Sequence, residues 1–237
     1  MTSVTTQATS DDLKICPVPA PISITVNDKA ATREVLFGLA REKGLTMVER
    51  SSWHAKPGKD GMAPDWNYTM IAIHHAGRSS ACSDGAKQIA NIQDEHLSKN
   101  YDDIGYHFGI DCSGTVYEAR DIRLKGSNVH NYNTGVIGIV LLEDLTTPEE
   151  GGDTIAKART LMEDMGFSTQ NVIPETQITA LTTFITVLKD LFFIRTLGGH
   201  REFPMQLGEG KICPGNIGLK MVQQLRAELN LAAPPKE

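Results

Sequence analysis

Long apolar runs are missing from this chain. The most extended, "VIGIVLL" and "LFFI", are the size of single strands or helix ends, well short of the roughly 18 residues a membrane-spanning helix needs. A basic excess is missing as well. Lys and Arg number 23 against 29 Asp and Glu, a net charge of −6, which argues against a nucleic-acid binder and its basic face. Cysteine is scarce: four in 237 residues are too few for a disulfide scaffold, so the core must be held by apolar packing. The opening stretch "MTSVTTQATSDDLKICPVPAPIS" has no basic start followed by an unbroken apolar segment. The expectation is synthesis in the cytoplasm without a recognisable signal peptide.

What remains is ordinary for a globular domain, 40% apolar and 22% charged residues, at a length that supports one full core. Residues 1–48 read as an N-terminal extension with one helix, in which Asn27 or Asp28 caps a stripe of Val35, Leu36 and Leu39 and Gly44 ends the turn. The main domain is expected over 49–230, with an acidic insertion at about 144–175 containing a short helix, and 231–237 as a tail. "YTMIAIHH" and "GVIGIVLLED" read as buried strands, and "DIGYHFGIDCSGTVYEAR" as a hairpin with a Ser-Gly turn. "SDGAKQIANIQDEHLSKN" reads as a helix capped by Ser83 or Asp84, the stretch from Glu175 to Thr196 as a second, and "CPGNIGLKMVQQLRAELN" as the last. The fold class is α/β, a mixed central β-sheet flanked by helices.

The residues with chemistry to offer are few. His74 and His75 end an apolar strand, where neighbours point to opposite faces, so one of them meets something that the other does not. His200 follows a Gly-Gly pair, and Cys213 enters a helix before Pro-Gly. Two imidazoles and a thiolate are zinc ligands by type. Their spacing alone does not join them, and each taken singly reads as a structural residue. Cys82 and Cys112 read as buried free thiols, Trp53 as a core anchor, Glu118 as half of a structural salt bridge, and His107 as packing.

Six ordered motifs join them: "IAIHHA", "DIGYHF", "GTVYEAR", "NTGVIGIVL", "GHREF" and "KICPG". In that order they resemble the type 2 N-acetylmuramoyl-L-alanine amidases, the family of the phage lysozyme-type amidases and the animal peptidoglycan recognition proteins. The resemblance covers about residues 49–230 and implies that family's fold. It implies one catalytic zinc ion on His74, His200 and Cys213, with Tyr106 and Lys211 as catalytic residues. His130 and Asn131 fall where the family lines its substrate groove, and His75, turned the other way, is left for packing or substrate contact. The implied substrate is peptidoglycan or a muropeptide, cut between N-acetylmuramic acid and L-alanine. The alternative is a recognition protein that binds peptidoglycan without cutting; keeping Cys213 together with Tyr106 favours the enzyme.

Two departures from the family pattern stand out. No cysteine follows closely after Cys82, so the recognition proteins' disulfide is expected to be absent. The stretch between His200 and Cys213 is longer than usual, because "PMQLGEG" adds a loop. Wall-fragment recycling, phage lysis and delivery to a target cell's periplasm as an antibacterial effector all fit such an enzyme. The last would bring a specific immunity protein as partner.

Overall fold

The computed structural model describes residues 28–77, 84–147, 150 and 172–236. In chain order the elements are α1 (Asp28–Glu42), β1 (Met47–Val48), a 3₁₀ turn (Arg50–Trp53), β2 (Met70–His75), α2 (Gly85–Ser98), β3 (Phe108–Ile110), β4 (Val116–Glu118), β5 (Val136–Leu141), α3 (Glu175–Leu191), β6 (Thr196–Gly199), a second 3₁₀ turn (His200–Glu202) and α4 (Gly215–Glu228). The strands form one sheet in the order β1-β4-β3-β5-β2-β6. Only β3 and β4 run antiparallel; the other pairs are parallel. This is the expected mixed sheet with helices on its faces.

The centre of the sheet explains the apolar runs. Every residue of β5 is buried, as are Ile71 to His75 of β2, because central parallel strands are covered on both sides. On one face α3 presents Leu181, Phe184, Ile185 and Leu188, all fully buried, at the three- and four-residue spacing of a helix stripe. Phe184 meets Phe108 of β3 edge to face, with ring centroids 4.7 Å apart. Helix α1 packs beside α3 and β1 joins the sheet against β4. Glu118 at the end of β4 forms a two-point ion pair with Arg33 of α1, at 2.7 and 2.6 Å. Trp53 donates to the Glu118 carbonyl at 2.7 Å, as a core anchor should.

Several local expectations change. Val35 is 49% exposed; α1 buries Leu36 as expected, but with Phe37 and Ala40 beside it, because the helix rolls to set Phe37 and Ala40 against the core. Helix α3 stops at Leu191: Phe192 turns extended and stacks edge-on against Trp66 and Tyr68. The cap of α2 is Asp84, whose carboxylate accepts from the Lys87 N–H at 3.1 Å. Cys112, read as a free thiol, is disulfide-bonded. Its partner lies outside the described residues, and a cysteine's spacing along the chain carries no information on which sulfur it meets in space. Cys82 and the short helix expected inside 144–175 also lie outside them.

Phe184 gives the packing a direct test. Phe184→Ala should destabilise the fold by about 3–5 kcal/mol in urea unfolding, the usual cost of emptying a phenylalanine site in a core. A loss below about 1 kcal/mol would contradict the α3–sheet interface.

Candidate metal centre

The register of two strands brings the first ligand pair together. Ile73 of β2 pairs with Gly199, the last residue of β6, so His74 in β2 and His200, which opens the turn directly after β6, follow that pair side by side. Both sit at the carboxyl ends, where open α/β sheets form their sites. The imidazole centroids are 4.5 Å apart. Cys213 arrives from the turn before α4, which is tied to the His200 segment by the Arg201 N–H donating to the Cys213 carbonyl at 2.9 Å. That approach needs Gly199: a Cβ there would lie 2.7 Å from Pro214 Cδ. The Cys213 sulfur comes within 3.6 Å of His74 Nδ1. One ligand atom from each of the three residues lies within 4.8 Å of the others.

The far nitrogens are occupied. His74 Nε2 lies 3.2 Å from Asn128 Oδ1, and His200 Nε2 lies 3.0 Å from Gln206 Oε1. Outer contacts of this kind fix a ligand imidazole's tautomer and orientation. Asn128 is itself wedged in place, since a Cβ on Gly138 would meet its side chain at 2.6 Å. Burial lowers both histidines, His74 well below 6.5, helped by His200 beside it, and His200 to about 4. Both are therefore neutral near pH 7, as ligands must be. Burial pushes the Cys213 thiol up to about 12, opposed by a hydrogen bond from the His75 backbone. A cluster of two neutral imidazoles and one thiol, His74 buried and the other two half-buried, with no cation among the three, fits a divalent metal that would draw the proton from sulfur.

A family model described as N-acetylmuramoyl-L-alanine amidase matches residues 64–216. The chain belongs to that amidase family. Peptidoglycan-recognition protein SC2 of Drosophila melanogaster is 33% identical over 136 residues, covering 55% of this chain and 72% of that protein. Among solved structures, the endolysin amidase LysCS from Clostridium intestinale aligns with a TM-score of 0.56 at 21% identity, over 79% of this chain and 97% of that one. Peptidoglycan recognition protein-LE, solved in complex with tracheal cytotoxin, a monomeric diaminopimelic acid-type peptidoglycan, aligns with a TM-score of 0.59 at 18% identity over 79% and 96%. Both show the amidase fold.

The remaining expected residues of this amidase-family chain distribute unevenly. Tyr106 sits beside His74, ring centroids 4.7 Å apart. Burial raises its phenol above its usual range, so it stays protonated. A cavity of about 420 Å³ opens next to His200, with Asn128, His130, Asn133 and Lys211 among its walls. His130 is held there by Glu209, Nδ1 to Oε1 2.7 Å. Asn131 and His75 do not line it. The His75 ring is buried, and its Nδ1 accepts the Leu145 N–H at 3.0 Å, so it holds the segment after β5. A larger hollow, about 610 Å³, lies between Phe203, Met205 and Pro234 but carries none of the candidate ligands. Asn128 and Gln206 were not singled out from sequence: one hides in "SNVHN", the other in the extra loop.

The metal-free chain should lose stability in acid. Burial holds His96, His107 and His200 near 4 and lowers His74 and His75, whereas the unfolded chain protonates its histidines near 6.5. Unfolding therefore takes up protons between about pH 4 and 6.5, so stability is full above this window and falls as the pH drops through it. Urea unfolding with chelator present should show this decline from pH 7 to pH 4.5. A flat profile would contradict neutral buried imidazoles.

Proposed function

We propose that this chain is a zinc-dependent amidase that hydrolyses the bond between N-acetylmuramic acid and the L-alanine of the peptidoglycan stem peptide. The observation that carries the reading is the convergence of His74, His200 and Cys213, one atom from each within 4.8 Å of the others, in a chain of the amidase family. Two imidazoles and a thiolate suit zinc, and three protein ligands leave a position open, whereas structural sites close it with a fourth. Bound there, zinc supplies a Lewis acid and lowers the pKa of a coordinated water toward neutrality.

The chain's own groups supply the rest. Tyr106, neutral and beside His74, is a hydrogen-bond donor and proton carrier for the leaving amine. The Lys211 ammonium, on the cavity wall next to His200, faces the negative charge that develops on the scissile carbonyl oxygen. Asn128 and Gln206 hold the two imidazoles. His130 is the substrate contact best supported by its position in the cavity wall, and Asn131, exposed next to it, contacts the substrate at the rim. A muropeptide ligand agrees with the peptidoglycan-type ligand named for the structurally similar recognition protein-LE.

The zinc-loaded protein, with Cys213→Ala beside it, should be incubated with sacculi and the soluble products analysed by mass spectrometry. The expected result is free stem peptides beginning with L-alanine, from the wild type only. Tyr106→Phe and Lys211→Ala should keep their zinc and lose about 10²- to 10³-fold in rate. Sacculi left intact with the protein bound to them would replace the enzyme with a peptidoglycan-binding protein.

A further inference from the structure

Gln206 is out of place by its surroundings. It is fully buried, while Met205 before it is 49% exposed and Leu207 after it 70% exposed. It belongs to the loop between His200 and Cys213 that is longer than the family pattern. A buried amide in an exposed loop has to satisfy both its ends, and this one does so in a way that decides its orientation. Its Nε2 donates to the carbonyl oxygens of His130, at 2.9 Å, and Pro204, at 3.0 Å. Both are acceptors only, so the nitrogen must face them. The oxygen is left to face His200 Nε2 at 3.0 Å.

We propose that Gln206 is a positioning residue of the metal centre: its side-chain carbonyl holds the proton of His200 on Nε2 and so turns the Nδ1 lone pair toward the metal. This rests on the reading of His74, His200 and Cys213 as the metal site. An amide oxygen can only accept, so the nitrogen opposite it must carry hydrogen, and the other ring nitrogen is left bare for a metal. His74 is arranged the same way, with Nε2 at Asn128 Oδ1 and Nδ1 toward the Cys213 sulfur. The two imidazoles thus present the same nitrogen inward, each braced by a carboxamide.

The same residue links the metal centre to the cavity wall. The Gln206 backbone carbonyl accepts the Lys211 N–H at 3.1 Å, and its side chain holds the carbonyl of His130. Three turns of chain, carrying His200, His130 and Lys211, are tied through one carboxamide and its backbone. The extra loop therefore acts as a brace on the second imidazole.

Full-length Gln206→Leu and Gln206→Glu separate this role from loop packing. Zinc affinity is measured by competition with a chelator, and metal-free stability by urea unfolding. Gln206→Leu, without an acceptor, should bind zinc about 10- to 100-fold more weakly. Gln206→Glu keeps an acceptor but loses both donors, and should restore affinity to near that of the wild type even where the loop is less stable. In the metal-free wild type, ¹⁵N NMR of the His200 ring should report hydrogen on Nε2; this needs no variant to fold. Wild-type zinc affinity in Gln206→Leu, or hydrogen on Nδ1 of His200, overturns the role of Gln206 while leaving the metal site standing. A wild-type chain that takes up no zinc overturns the metal site itself, and the role of Gln206 with it.

Discussion

Everything at the candidate centre depends on how β2 and β6 pair. Their parallel register sets Ile73 beside Gly199, and that one alignment carries His74 and His200 to the same height at the carboxyl edge of the sheet. A slip of one residue would send either imidazole to the opposite face. The register is held from both sides: β2 pairs along its whole length with β5, and the far end of β6 is pinned where Leu197 donates to the Ala232 carbonyl at 3.0 Å. Apolar burial of the central strands is thus the force that sets ligand geometry, and the loops only finish it.

Around that edge, polar groups are matched to fixed tasks. Carboxamides from Asn128 and Gln206 face the outer nitrogens of the two imidazoles. Asn133 in turn accepts the N–H groups of Asn128 and Val129, at 2.7 and 2.8 Å, so the segment leading into β5 keeps a single shape. Burial keeps the histidines neutral and Tyr106 protonated. The Cys213 thiol, pushed up to about 12, is a poor anion until a cation arrives, which makes metal and proton compete for one sulfur.

Much of this was legible before any coordinates. The apolar strands, the amphipathic α3 and the Ser-Gly hairpin follow from periodicity and turn chemistry, and the ordered motifs point to the amidase fold. Three features escaped for physical reasons. The roll of α1 that exposes Val35 is decided by what it packs against, which a local pattern does not contain. Cys112 is disulfide-bonded, and spacing along a chain does not report which sulfurs meet. Asn128 and Gln206 are common amides in polar stretches; only tertiary contact distinguishes a brace on an imidazole from a loop residue. The separation of His75 from the candidate ligand beside it, by contrast, follows from the alternation of a strand and was readable in the sequence.

X-ray absorption at the zinc edge of the loaded protein is the most direct examination of the centre. Two imidazole nitrogens at about 2.0–2.1 Å and one sulfur at about 2.3 Å, with a further light atom completing the shell, are predicted, and the sulfur should vanish in Cys213→Ala. A shell without sulfur in the wild type, or with nitrogen scattering unchanged in His74→Ala, would contradict a metal centre built on His74, His200 and Cys213.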